Sequence, residues 1–259
     1  KMIEPKEQKV QIEKNGKEEF LDYDTLILAS GGRSFIPPMK GYEKRGIYPL
    51  RTIDDGRQLK QAMKDAKSAV VIGAGLIGLE TAHAFFENGI KTTVVEMLPQ
   101  VAPAMLDWDM ANLVAERLKE HGIDVIVGAT VREITGDERA KGVTVGEKEI
   151  EADIVLMATG VRTRTELVRQ LGAEVGITGG IRVSADMSTA VPNVYACGDC
   201  VESHNLIDWQ PTRSQLGTTA VRQGKVAGTN AAGGYAVFPG VLGSSVTKIF
   251  DFEFGSTGY

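Results

Sequence analysis

The sequence predicts an α/β protein with a Rossmann-like parallel sheet, and three observations carry that expectation. Residues 69–96 read AVVIGAGLIGLETAHAFFENGIKTTVVE: an apolar run enters a glycine-rich turn, a helical stretch follows, and a second β-branched run ends on an acid. Two other apolar runs, DTLILAS at 24–30 and DIVLMA at 153–158, have the length and continuity of buried strands. Each ends in a glycine-bearing turn, Gly31-Gly32 and Thr159-Gly160.

Taken in order, residues 9–13 and 18–21 alternate around Asn15-Gly16, a hairpin signal. After the run at 24–30, residues 35–46 read as a crossing linker, and 53–63 as an amphipathic helix opened by Asp54-Asp55. The βαβ unit at 69–96 comes next. A helix is expected at 107–121, with Leu113, Val114, Arg117 and Leu118 on one buried face and Gly122 as its stop. Residues 124–127 read as a third strand. Short alternating segments at 130–150, broken by Gly136, Gly142 and Gly146, predict an antiparallel meander in place of a crossover helix. Beyond the run at 153–158, a short helix (165–171), short strands (181–183 and 193–196) and a longer helix (216–232) lead to Pro239-Gly240.

Composition narrows the function classes. A chain of 259 residues, 42% hydrophobic and 24% charged, is ordinary for a soluble globular protein of one large or two ordinary domains. The net charge of −5 argues against a nucleic-acid surface. The apolar stretches stop well short of the ~20 residues a membrane-spanning helix needs. Two cysteines make no disulfide framework and fit a reducing cytoplasm. The opening KMIEP carries no signal-peptide or lipidation pattern, and the final residues read as a strand stopped mid-element, so the chain is read as a fragment of a longer protein.

The chemistry lies in the glycine turn. Gly73-Ala74-Gly75-Leu76-Ile77-Gly78 fits a dinucleotide-binding turn because strand, helix and acid stand where that motif requires them. Gly73 is expected to make the tight turn, Gly75 to let backbone approach a pyrophosphate, and Gly78 to let helix and strand pack closely. The helix N-terminus offers free N–H groups and a positive dipole end to the phosphates. Glu96, about 20 residues beyond Gly75, suits the adenosine ribose hydroxyls, and the following Met97-Leu98-Pro99-Gln100 brings no cation for a 2′-phosphate. NAD(H) is therefore expected over NADP(H).

Four marks together resemble the FAD-dependent pyridine nucleotide-disulfide oxidoreductases. Ala29-Ser30-Gly31 resembles that family's first ATG-type turn, with Ser in place of Thr, and Ala158-Thr159-Gly160 its second. The glycine turn with Glu80 and Glu96 is similar to its NAD motif, and Tyr195-Ala196-Cys197-Gly198-Asp199 to its flavin motif. Residues 243–258 resemble the start of the interface domain in the NADH oxidase and coenzyme A-disulfide reductase branch. The resemblance implies four segments: the tail of a first FAD segment (1–43), an NAD(H)-binding domain (44–163), a second segment of a discontinuous Rossmann-like FAD domain (164–238) and the opening of an interface domain (239–259). It also implies a homodimer when full length, which moves hydride from NADH to FAD and on to dioxygen or a disulfide. The fragment itself is expected to be inactive and to lack FAD, because the family's N-terminal FAD motif and redox cysteine are not among these residues. A non-catalytic NAD-binding module and a ferredoxin-reductase-type flavoprotein are the rival readings.

By the same resemblance, Asp199 accepts from a ribityl hydroxyl of FAD, and Gly198 lets backbone come close. Leu216, Gly217 and Thr218 start a helix whose dipole favours negative charge on the reduced flavin. Glu80 either lies near the nicotinamide or is a helix-surface glutamate; Arg33 either reaches an FAD phosphate or caps its loop. Cys197 and Cys200 form CxxC, but Cys197 falls at an apolar position of the flavin motif and only His204 is near enough to join a zinc set, so no metal site and no redox role are assigned.

Overall fold

The apolar runs around the glycine turn become a five-stranded parallel sheet in the order Ile47–Pro49, Ile154–Met157, Ser68–Ile72, Lys91–Val95, Asp124–Ile126. The structure is a computed structural model and describes residues 2–258. Alternate residues of the central strands point to opposite faces. Ala69 and Val71 join a core with helices α1 (Ile53–Ala62), α2 (Leu76–Glu87) and α3 (Trp108–Glu120), through Leu59, Leu79, Phe85, Val114 and Leu118. Val70 and Ile72 join a second core with Val131, Ile134 and Val143 of an antiparallel meander. That meander, Val131–Thr135, Gly142–Val145 and Lys148–Glu151, covers the sheet face where a crossover helix would otherwise lie.

Local chemistry explains the element ends. Thr52 caps α1, its hydroxyl accepting from Asp55 N–H while the Asp55 carboxylate accepts from Thr52 N–H. Gly122, at φ +84°, follows the last residues of α3 as expected of its stop. On α3 the buried face is Ala111, Val114 and Leu118, and Leu113 is 49% exposed, contrary to the expected stripe. The helix phase places Leu113 about 100° from Val114, on the solvent side. The strand Ile47–Pro49 was not expected. It pairs along one side only, with Ile154–Met157, an edge position that tolerates proline's missing N–H.

Asp153, just before the strand Ile154–Met157, ties its start to that of Ser68–Ile72. Its Oδ2 accepts from the N–H groups of Lys67 (2.8 Å) and Ser68 (3.0 Å) and from the Ser68 hydroxyl (3.1 Å). These bonds, the Lys67 N–H foremost, hold its carboxyl below the usual carboxylate range. A depressed folded-state pKa contributes stability above the unfolded value and loses it as pH falls through the folded one. Asp153→Ala is therefore expected to lower the urea midpoint at about pH 7, with the gap to wild type closing as pH drops below about 4. An equal gap at both pH values contradicts this account.

The chain divides into two units, Ser34–Val161 with Ser245–Ser256, and the described residues up to Arg33 with Arg162–Ser244 and those after Ser256. The division differs from the boundaries at 43/44 and 238/239 expected from sequence. Ile36 and Met39 pack on the meander-side core, and Ile249 and Phe254 of the hairpin Ser245–Ile249/Phe252–Ser256 enter the helix-side core. Residues 34–43 and 245–256 thus lie with the glycine-turn unit.

The other unit holds a three-stranded antiparallel sheet, Ile3–Glu4, Lys9–Lys14 and Lys17–Asp22. Its hairpin turns at Asn15 (φ +55°) and Gly16 (φ +74°), the left-handed pair that a tight two-residue turn demands. The run at 24–30 forms only Leu26–Leu28, with Ile27 38% exposed, so it is shorter and less buried than expected. That strand pairs in parallel with Val194–Ala196. The unit also holds a three-stranded sheet, Ile181–Arg182, Val201–His204 and Pro211–Thr212, the short helix α4 (Glu166–Gln170) and the long α5 (Gly217–Ala231). Among the described residues no helix is long and apolar enough to cross a membrane.

Candidate functional site

The strands Ser68–Ile72 and Ile154–Met157 lie side by side in parallel, with Ile72 opposite Met157, so their carboxyl ends deliver the glycine turn and the second ATG-type turn to one edge. Gly73 turns at φ +103°, and a Cβ there would lie 2.4 Å from the Ala158 carbonyl oxygen. A Cβ on Gly78 would lie 2.0 Å from the Gly73 carbonyl oxygen and 3.3 Å from Ala158 Cβ. Gly75 is different: it caps α2 in extended backbone, and a Cβ there meets nothing within 4 Å. The three glycines thus divide as expected, two by packing and one by open space beside it. No side chain caps α2, so the N–H groups of its first turn, from Leu76 and Ile77 onward, retain their capacity for an anion.

Glu96 follows the strand Lys91–Val95 and is 8% exposed. Its Oε2 accepts from Ala74 N–H at 2.7 Å and its Oε1 from Leu98 N–H at 2.8 Å. A carboxylate has about four acceptor positions, so each oxygen keeps capacity for a hydroxyl donor. Glu96 also lines a cleft of about 440 Å³ with Met97, Gly73, Ala158, Thr159 and Val131, among others. Among the described residues lining the cleft, Glu96 is the charged one, and no Lys or Arg joins it.

The cleft contains residues that sequence reasoning missed. Phe35, Pro37 and Met39 form one wall and Ala129, Thr130 and Val131 another. The Thr159 hydroxyl donates to the Phe35 carbonyl, and Phe35 N–H donates to the Gly160 carbonyl at 2.9 Å, which fixes the first wall to the ATG-type turn. Gly128 N–H donates to Leu98 O at 2.8 Å and Ala129 N–H to Glu96 O at 3.1 Å, which fixes the second. The available signals were Pro37-Pro38, read only as a linker, and Gly128 after the third strand.

Glu80, an exposed residue of α2, accepts a hydrogen bond from the Thr247 hydroxyl of the hairpin.

In the other unit, Ala29, Ser30 and Gly31 follow the strand Leu26–Leu28, and Gly198 and Asp199 follow its partner Val194–Ala196, again at one sheet edge. Ser30 donates to the Arg164 carbonyl at 2.7 Å, and Gly31, at φ +64°, accepts from Arg164 N–H at 3.0 Å. Arg33 pairs with Glu166 at 3.3 Å, both side chains more than half exposed. Gly198, at φ +81°, donates its N–H to Gln223 Oε1 at 2.8 Å, and Gln223 Nε2 donates to the Ser203 hydroxyl at 2.9 Å. Gln223 is 1% exposed. Its place on the buried Thr219/Gln223/Ala227 face of α5 was the signal for this bridge. Leu216 caps α5 with no side-chain hydrogen bond, and a Cβ on Gly217 meets nothing within 4 Å, which leaves room at the helix start beside Thr218.

Cys197 and Cys200 are buried free thiols. Burial pushes the Cys197 thiol up, away from the reactive thiolate, and Cys200 Sγ lies 3.2 Å from the Cys197 carbonyl oxygen.

Against known proteins, residues 1–224 match the family model described as pyridine nucleotide-disulphide oxidoreductase. An NADH oxidase of Methanocaldococcus jannaschii is 44% identical over 259 residues, which cover 99% of this chain and 58% of that protein. An NAD(P)H coenzyme A polysulfide/persulfide reductase of Pyrococcus horikoshii is 34% identical over 251 residues, covering 96% of this chain and 56% of that protein. The solved structure of an NAD-dependent persulfide reductase from A. fulgidus matches with a TM-score of 0.98 and 39% identity, over 100% of this chain and 48% of that one. The chain thus spans a little over half the length of these curated relatives.

Proposed function

The chain belongs to the pyridine nucleotide-disulphide oxidoreductase family, and from that premise we propose that it is the NAD(H)-binding portion of an FAD-dependent oxidoreductase that takes electrons from NADH and passes them to dioxygen or to a disulfide. The observation that carries this reading is the pairing, in one unit, of an open Gly75 at an uncapped helix start with a buried, backbone-held Glu96 beside a cation-free cleft. The first supports phosphate, the second ribose, and the absence of a cation in the cleft supports NADH over NADPH.

The residues fit the nicotinamide dinucleotide. Gly75 and the first turn of α2 would hold its pyrophosphate, Glu96 its adenosine ribose, and the cleft beside Met97 its adenine. Gly160, at the tip of its strand with no atom within 4 Å of an added Cβ, leaves room for the chain of the cofactor to cross. Glu80 would face the nicotinamide end, with the Thr247 hydroxyl fixing its orientation. The residues of the second unit fit one end of a flavin: Asp199 for a ribityl hydroxyl, Gly198 held in place by Gln223, the α5 start at Leu216, Gly217 and Thr218 for negative charge, and the Ala29-Ser30-Gly31 turn near it. Arg33, paired with Glu166, serves this site only by exchanging that partner for a phosphate. When bound, the two cofactors supply the hydride donor and acceptor; the protein's part is to orient them and to tune their charge. The cytoplasmic homodimer belongs to the same proposal, supported by the cysteine content and the branch of the family that the chain resembles.

The test uses the full-length enzyme containing this chain, purified with flavin. Anaerobic addition of NADH is expected to bleach the flavin band near ~450 nm, and admitted dioxygen or an added disulfide to restore it. A flavin band unmoved by NADH contradicts the proposal.

A further inference from the structure

Residues 97–106, between the strand Lys91–Val95 and α3, are tied to the glycine turn more closely than a connection requires. Ala102 lies in the left-handed region at φ +45° and is only 2% exposed. A residue with a Cβ is disfavoured there and persists where surrounding contacts impose it, which makes such a residue a pointer to function. Its N–H donates to the Ala74 carbonyl at 2.8 Å, and its own carbonyl accepts from Met105 N–H at 2.9 Å and Leu106 N–H at 3.0 Å. Gln100 Nε2 closes the same turn by donating to the Leu106 carbonyl at 2.6 Å.

Ala74, which is fully buried, is also held from its other side, because its N–H donates to Glu96. Glu96 in turn accepts from Leu98 N–H, at the start of the same connection. A planar trans peptide points its C=O and N–H in opposite directions. Fixing the Ala74 carbonyl on Ala102 therefore fixes the direction of Gly75 N–H, the donor at the open pyrophosphate position.

We infer that residues 97–106 are a latch for the dinucleotide, in which Ala102 and Gln100 are positioning residues that aim Gly75 N–H at the pyrophosphate and, through Ala74, couple that aim to the Glu96 carboxylate. The inference rests on the nucleotide-site reading above and adds to it a cause for selectivity. A Glu96 locked by Ala74 and Leu98 cannot swing aside to admit a 2′-phosphate, so loosening the latch costs NADH binding more than NADPH binding.

The test measures Kd for NADH and NADPH, by nicotinamide fluorescence on the whole chain, for wild type, Ala102→Gly, Ala102→Val and Gln100→Ala. Glycine adopts φ +45° freely and keeps the N–H donor, so Ala102→Gly is expected to bind NADH more tightly than Ala102→Val. A β-branched residue does not adopt that backbone, so Ala102→Val is expected to raise Kd for NADH by about 10-fold, the loss of one charge-assisted bond, and to narrow the preference over NADPH. Gln100→Ala, which leaves the backbone free to stay put, is expected to shift both quantities in the same direction by about 3-fold. A folded Ala102→Val with wild-type affinity overturns the latch, as does a glycine variant as weak as valine, or equal weakening for both nucleotides, which is mere loosening of the fold. If the valine variant does not fold, Gln100→Ala decides: unchanged affinity overturns the inference. A wild-type chain that binds neither nucleotide overturns the nucleotide-site reading itself, and the latch with it.

Discussion

Gly78→Ala is expected to destabilise the glycine-turn unit by about 3 kcal/mol, although alanine is the better helix former by about 1 kcal/mol. The propensity gain is overwhelmed because the new methyl would lie 2.0 Å from the Gly73 carbonyl oxygen and 3.3 Å from Ala158 Cβ. The first neighbour is backbone in a turn that is itself pressed against Ala158, so it has nowhere to retreat. At roughly 2–4 °C per kcal/mol for a domain of this size, the expected fall in Tm is roughly 6–12 °C. Thermal unfolding of wild type and variant checks this. An unchanged or raised Tm would mean that helix and strand do not approach as closely as described.

Gly75→Val, three residues earlier in the same motif, is expected to do the reverse: stability within about 1 kcal/mol of wild type, since the residue is an extended N-cap with open space beside it, and NADH affinity reduced by about 100-fold. The valine side chain would occupy the space through which phosphate approaches the first-turn N–H groups, and hydrogen bonds to a charged group are worth about 1.5–3 kcal/mol each. Chemical unfolding together with a nucleotide titration separates the two effects. A folded variant with retained affinity would remove Gly75 from the pyrophosphate site.

The contrast between these glycines was legible in the sequence because the motif sets strand, turn, helix and acid at fixed spacing, and each position has one geometric duty. The parallel sheet, the meander and the helix ends were legible for the same reason: apolar period and turn residues act locally. What escaped was long-range or masked. The strand Ile47–Pro49 contains a proline and lacks alternation, and only its pairing with Ile154–Met157 reveals it. Leu113 fits an apolar helical stripe by type, but its phase puts it in solvent. The walls of the cleft come from residues 35–39 and 129–131, each fixed by its own backbone hydrogen bonds, and the local marks they carry, Pro37-Pro38 and Gly128, signal a linker and a turn rather than a wall. Glu96 stands at the spacing the motif sets, whereas its grip on Ala74 and Leu98 depends on how residues 97–106 fold back. Glu80 was left between two readings, and the Thr247 hydroxyl that tethers it comes from a hairpin far along the chain.

The most direct test of the nucleotide site is an equilibrium titration of the 259-residue chain with NADH and, separately, NADPH, following nicotinamide fluorescence. Glu96 is the charged residue lining the cleft, so a 2′-phosphate would meet a carboxylate with no cation to offset it. The account predicts saturable binding of both nucleotides, with NADH tighter by about 10-fold or more, a like-charge penalty of at least about 1.4 kcal/mol. Equal affinities, or tighter NADPH, would contradict it.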